Sequence, residues 1–395
     1  MTFLLGILIF VVALLFSIML HEAGHFVTAK KFGMKVTQFF VGFGQTLWSR
    51  RKGETEYGVK AIPAGGFVKI VGMTDMEDVD PADEPRSFRN QPGWQRLIVL
   101  AAGSFMHFVL AFVLLFALAI GIGLANPGTS TAVGAIDSCV PSSLTAGCTS
   151  SNPASPAKQV GLRAGDKIIA IGGTAVRDWT QMGKVIRLQP AGTPVPVTVE
   201  RDGRQLTLHP SLAVVKGRQG SYLGISPVVV FQRTGPLGAI TYAGGQFGRI
   251  VAGSAGVAAS LPKAIPDLFA KNRAETPGGN VTSVVGAADA TGQVLAAPIS
   301  WQARVAVVLL IIASLNIFVG LFNLLPLLPL DGGHIAVVIY ERCRAWLARL
   351  RGKPDPGPVD YRRLVPVSVG VFALLVGFGL LLIMADLVNP VHIIQ

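Results

Sequence analysis

The chain has 395 residues, 51% of them hydrophobic and only 14% charged, with a formal net charge of +12. Few soluble domains combine those figures, and four apolar runs are long enough to cross a bilayer, which takes about 20 residues. Nucleic acid is excluded as a partner: no basic stripe is interleaved with aromatics, and 11 Lys/Arg cluster in residues 30–96 and seven in 340–365, each set between two apolar runs.

In chain order, the first run (1–29) reads as a retained span. It has no basic n-region and no small-x-small cleavage site, and a polar cluster follows directly. Segment 30–96 carries "VTQFFVGFGQTLWSRRKGETEYGVKAIPAGGFVKIVGM", rich in Val, aromatics and Gly, with "RKGETEYGV" as a hairpin turn. An acidic, Pro-containing loop leads to a second span at 97–125. Residues 126–215 form a compact α+β domain, interrupted by a Ser/Pro/Cys-rich insert (137–155) and closed by two strands joined at Asp202-Gly203. Residues 216–302 read as an amphipathic region lying on the membrane surface. A third span at 303–334, a basic segment at 335–363 and a fourth span at 364–389 complete the chain. The fold class is an α-helical polytopic membrane protein with four transmembrane helices, a membrane-associated β-hairpin and an inserted extracytoplasmic domain.

The positive-inside rule puts the two basic segments in the cytoplasm, and so both termini and residues 126–302 outside. The 15 basic residues of that outer segment do not oppose this, because long loops translocate largely regardless of charge. Cys139 and Cys148 then lie where disulfides persist and can staple the loop "CVPSSLTAGC", although spacing alone does not prove pairing. Cys343 falls on the cytoplasmic side as a free thiol.

Within the first apolar run stands "MLHEAGHFVTAKK". Residues four apart share a helix face, so His21 and His25 can hold one metal ion, with Glu22 beside it to accept a proton from water. Lys30 follows nine residues after His21, which sets the metal roughly 7–13 Å inside the cytoplasmic boundary at about 1.5 Å per residue. Two histidines leave a catalytic zinc site one protein ligand short. Asp331, in "NIFVGLFNLLPLLPLDGGH" after the prolines at 326 and 329, is the candidate third ligand; alone, it reads equally as a cap of the following helix. Asn316 and Asn323 lie two turns apart on one face, suited either to bind substrate or to bond neighbouring helices. His107 reads as a hydrogen-bonding packer between helices.

With "HEAGH" in the first span and "NLLPLLPLDGG" in the third, the chain resembles the site-2 protease family of zinc intramembrane metalloproteases. "GFG" (42–44), "AIPAGGFVKIVGM" and "SVVGAADATGQVL" extend the resemblance over most of the chain. "SPAKQVGLRAGD" is similar to a bacterial PDZ domain, and one such domain between the second and third spans resembles the bacterial branch that cleaves anti-sigma factors. The resemblance implies one Zn2+ per chain on His21, His25 and Asp331, with Glu22 as general base. It implies a re-entrant hairpin over 36–70 beside the site and a substrate-holding role for Asn323. Three departures stand out: the second proline is shifted to Pro329, His107 occupies a position where relatives commonly carry asparagine, and the 137–155 insert is unusual.

The expected activity is hydrolysis of a peptide bond within or near the span of single-pass membrane proteins, such as an anti-sigma factor already cut outside by another protease, in the bacterial inner membrane. Gly65 and Gly66 would let an unwound substrate strand approach the hairpin edge. The PDZ domain would filter by size or recognise a newly made C-terminus. The alternatives are a membrane metal-ion transporter, which the absence of repeats and the Glu22 position disfavour, and a catalytically dead PDZ scaffold, which an intact Glu22 and Asp331 disfavour.

Overall fold

The computed structural model describes residues 1–73, 77–126, 130–143, 148, 151–270, 273, 281–297 and 299–390. Four of its helices are long and apolar enough to cross a membrane. The first is α1 (Thr2–Lys31), apolar all round and closed by Lys30 and Lys31 in its last turn, where cations suit the dipole. The second is α2 (Gly93–Ala117), continued by a π-helical turn over Leu118–Ile122. It begins at Gly93, four residues before the expected position 97, with Pro92 at its N-cap. The other two are named below in chain order.

Between α1 and α2 lie two long strands, β1 (Val36–Lys52) and β2 (Thr55–Ile70), turning at Gly53-Glu54. This is more than a simple hairpin. Register shifts bend both strands, so Phe39 pairs with Val68 on one side and with Tyr57 on the other, while Arg50 also pairs with Tyr57. Four runs result, in the order 46–52, 55–60, 36–43 and 66–70, and the last run is an edge.

Beyond α2, β3 (Leu124–Asn126) pairs antiparallel with β10 (Val230–Gln232) as a two-stranded stalk. On it stands the α+β unit: β4 (Val133–Ile136), α3 (Pro156–Gln159), β5 (Lys167–Ile171), β6 (Thr174–Ala175), α4 (Trp179–Leu188), β7 (Val197–Arg201), β8 (Arg204–Leu208) and β9 (Ile225–Pro227). The main sheet has the order β6-β5-β7-β8, and β4 pairs separately with β9. Ile168, Ile171, Val197 and Val199 of the sheet pack on Met182 and Ile186 of α4. The unit outruns the expected limit at 215, because Leu223 completes its core and β9 is the only strand that β4 pairs with among the described residues.

The region expected to lie on the membrane surface behaves differently. Helix α5 (Pro236–Leu268) sets Tyr242, Ala243, Phe247, Ile250 and Val251 against Ala111 and Leu115 of α2 and Ala313 and Ile317 of α7 (Trp301–Asn323), so its first half packs beside two spans. Helix α6 (Val284–Ala296) crosses the start of α1 so closely that a Cβ on Gly6 would fall 2.8 Å from Gly292 Cα. The third span is α7, which ends at Asn323 rather than 334. Pro326 and Pro329 deny the segment 324–330 helical hydrogen bonds, and the chain restarts as α8 (Asp331–Leu350). The fourth span, α9 (Val365–Val388), exposes Val367, Phe372, Leu374 and Leu380, a face that fits lipid.

Candidate active site

Three spans meet through small residues. A Cβ on Gly24 of α1 would lie 2.6 Å from Ala102 O of α2, and one on Gly320 of α7 would lie 2.6 Å from the Phe108 ring. Close backbone approach of this kind brings polar side chains on three helices within reach of one another.

On α1, His21 and His25 project from one face and are both buried. The chain brings Asp331 to them by the proline break. After Asn323 it folds back against the first turn of α8, which requires glycine at two positions: a Cβ would fall 2.2 Å from Leu325 O at Gly332 and 2.5 Å from Leu328 N at Gly333. Asp331 does not cap α8, since the cap position is Leu330 and no side-chain cap bond forms. Its carboxylate turns to the imidazoles instead. Asp331 Oδ2 lies 3.2 Å from His21 Nε2 and 3.3 Å from His25 Nε2, and the two Nε2 atoms are 3.1 Å apart.

These separations fit a metal ion. Zinc bonded at about 2.0 Å to tetrahedral donors sets neighbouring donors about 3.3 Å apart, and two imidazoles with one carboxylate is a donor set that zinc takes in catalytic sites. His25 Nδ1 donates to the Val99 carbonyl at 2.7 Å, which leaves the lone pair on Nε2 directed at the other donors. Asp331 Oδ2 is buried with no other polar partner among the described residues.

Glu22 is half-buried, and its Oε2 accepts the Val68 backbone N–H at 3.1 Å. The edge run of β2 therefore stands directly beside it. That run reaches α1 at Gly66, where a Cβ would meet Met19 Sδ at 2.6 Å and Phe40 O at 3.0 Å. The close approach expected of Gly66 is thus made to α1. Gly65 adopts φ +143°, which favours glycine, and lies under the Phe43 ring.

The two asparagines separate. Asn316 is 1% exposed, donates to Ser17 Oγ at 3.1 Å and Ile312 O at 2.8 Å, and accepts from His107 Nδ1 at 2.8 Å. Both polar atoms of its amide are thus engaged, and they bond α7 to α1 and α2, the helix-bonding alternative of the two that its position offered. His107 in turn packs its ring 5.0 Å from that of His21, outside the group of three donors. Asn323 ends α7 half-buried, with no side-chain hydrogen bond among the described residues.

Sequence reasoning missed Gly103. A Cβ there would fall 2.4 Å from His25 Nε2 and 2.6 Å from His21 Nε2, so α2 backs both imidazoles with bare backbone. A glycine inside the apolar run "LAAGSFMHF" is the signal of close approach that would have marked it. Away from the site, Cys139 and Cys148 are bonded to each other and Cys343 is exposed and free.

The model of peptidase family M50 matches residues 9–353. Zinc metalloprotease Rip1 of Mycobacterium tuberculosis is 38% identical to this chain over the full length of both, and the protein of the same name in Mycolicibacterium smegmatis is 37% identical, again over both full lengths. Metalloprotease MmpA of Caulobacter vibrioides is 29% identical over 85% of this chain and 87% of its own.

Proposed function

This chain belongs to peptidase family M50 and is a membrane-embedded zinc metalloprotease, and from that premise we propose that it cuts single-span membrane proteins within or near their spans. His21, His25 and Asp331 would hold the zinc, and Glu22 would be the general base. The observation that carries this reading is the placement of Asp331 Oδ2 within 3.3 Å of both Nε2 atoms, on a helix apolar enough to span a membrane and next to Glu22.

Zinc, when bound, supplies Lewis acidity that polarises a carbonyl and makes water easier to deprotonate near neutral pH. The rest falls to the chain. Glu22, oriented by the Val68 N–H, takes the proton as water attacks and passes it to the leaving nitrogen. His25 is kept in the ligating tautomer by the Val99 carbonyl. A helical substrate hides its carbonyls in internal bonds and must unwind first. The edge run Gly66–Ile70 offers the unwound strand a partner in line with Glu22, by strand addition. Asn323, at the mouth of the break, would hold the substrate backbone.

The basic segments suggest the orientation: residues 30–96 and the α8–α9 connection inside a bacterial inner membrane, the termini and the α+β unit outside. That unit is proposed to be a PDZ domain, and an anti-sigma factor already cut by another protease the natural substrate class. Co-expression with candidate single-span proteins and mapping of the products tests the reading. Wild type should yield a cut within the span, and Glu22→Gln, with its zinc content unchanged, should yield none. Equal cleavage by the variant would overturn the role of Glu22, and products cut only outside the span would overturn the intramembrane site.

A further inference from the structure

A cavity of about 690 Å³ opens between the start of α8, the turn that follows it and the first turns of α9. Its lining is mixed: Leu328, Val367 and Val371 are apolar, and Arg344, Arg363 and Asp360 are charged. Val367 is 59% exposed in the first turn of a span, a position that suits an acyl chain.

The charged lining comprises two guanidiniums and one carboxylate. Arg344 Nη2 donates to the carbonyls of Pro356, Gly357 and Pro358 at 3.3, 2.5 and 3.3 Å, all of them neutral, and its Nε is buried with no partner among the described residues. Arg363 Nε lies 3.4 Å from Asp360 Oδ2. The nearby Glu341 is already taken, by Arg96 at 2.9 Å and the Val359 N–H at 2.9 Å. Those same bonds fix the turn against α8 and α2, so the walls are held in place before anything binds.

We propose that this cavity binds one anionic phospholipid of the surrounding leaflet, its phosphate at Arg344 and Arg363 and one acyl chain along Val367 and Val371. A soluble anion would leave the apolar lining unused, and a neutral lipid would leave the second guanidinium unmatched; an anionic lipid satisfies both. The cavity wall includes Gly333, two residues from Asp331, so the bound lipid braces the break that positions that carboxylate.

Native mass spectrometry of the full-length, delipidated protein in detergent tests this. Phosphatidylglycerol and phosphatidylcholine of identical acyl chains are titrated separately, and inorganic phosphate is added as competitor. Phosphatidylglycerol should bind at least about tenfold more tightly than phosphatidylcholine, and millimolar phosphate should not displace it. Arg363→Ala, at an exposed position, should weaken phosphatidylglycerol about fivefold, the usual effect of one surface cation on anionic lipid. Val371→Trp, which fills space at the apolar lining, should abolish binding without lowering the thermal melt. If Val371→Trp does lower the melt, Arg363→Ala decides alone. Equal affinity for the two lipids, displacement by phosphate, or unchanged binding in Arg363→Ala would each overturn the proposal.

Discussion

Gly103 and His25 stand in direct contact across the α1–α2 crossing, with room for a hydrogen and none for a methyl group: a Cβ would come within 2.4 Å of Nε2. The imidazole cannot retreat freely, because its Nδ1 is bonded to Val99 O at 2.7 Å on the same helix as Gly103. Gly103→Ala should therefore leave the helices folded and displace His25 Nε2 from the position proposed to bind zinc. Metal affinity should fall by about 10–100-fold, the range typical when a group that orients a ligand is lost. Zinc content against a graded chelator, at matched helical content, measures this. Full zinc occupancy with normal cleavage would show that the crossing opens by a few tenths of an ångström at little cost.

Asn316 bonds three helices and has no polar atom left for substrate. Asn316→Ala strands His107 Nδ1–H and frees Ser17 Oγ. A buried polar group left unpaired costs about 1–3 kcal/mol, and interhelical bonds in membranes average nearer the low end. The variant should melt several degrees lower with an unchanged KM. A raised KM at unchanged stability would restore the substrate-contact role that its position in the sequence offers.

How far the site is legible in the chain depends on distance. His21, Glu22 and His25 are readable because helical spacing is local and fixes which side chains share a face. Asp331 is readable because two prolines and two glycines interrupt an apolar run, a pattern with few structural uses. Asn316 shows the limit: substrate contact and helix bonding leave the same mark in the sequence, which does not reveal the Ser17 and His107 partners. The double pairing of β1 arises from bulges that strand periodicity does not encode. The packing of α5 on α2 and α7 is hidden because small residues mixed with Gly look alike on a membrane surface and between helices.

Glu54, at the turn between β1 and β2, is clasped by Arg86 through both oxygens at 2.7 and 2.9 Å and by Lys30 at 2.5 Å. The Arg86 guanidinium, then Lys30, hold its carboxyl down at about 2. A carboxyl depressed on folding stabilises the fold above its ordinary pKa of about 4.3 and loses that contribution as pH falls through the folded value. Glu54→Gln should thus lower the melt at pH 7. Its curve should converge on wild type between about pH 4 and pH 2. Curves that stay parallel over that window would mean the clasp does not form in solution.

Asp166 is the buried acceptor at the heart of the α+β unit. Arg201 grips it through Nε at 2.7 Å and Nη2 at 2.6 Å, and the Arg163 N–H adds a third bond at 2.8 Å. The Arg201 guanidinium holds this carboxyl below the usual range. The pair ties the turn before β5 to the end of β7, so Asp166→Ala leaves the Arg201 guanidinium only its bond to Gly161 O at 2.9 Å and frees the Arg163 amide. A lower melt is expected, by less than breaking a fully buried pair would give, because Arg201 reaches solvent. Hydrogen exchange on the full chain should show β5 and β7 opening faster while α1 and α2 stay protected, since among the described residues the core of this unit includes none from those two helices. Cleavage of a substrate that already lacks its outer domain should persist. Loss of that cleavage with α1 still protected would mean that the unit takes part in every turnover rather than standing apart from the chemistry.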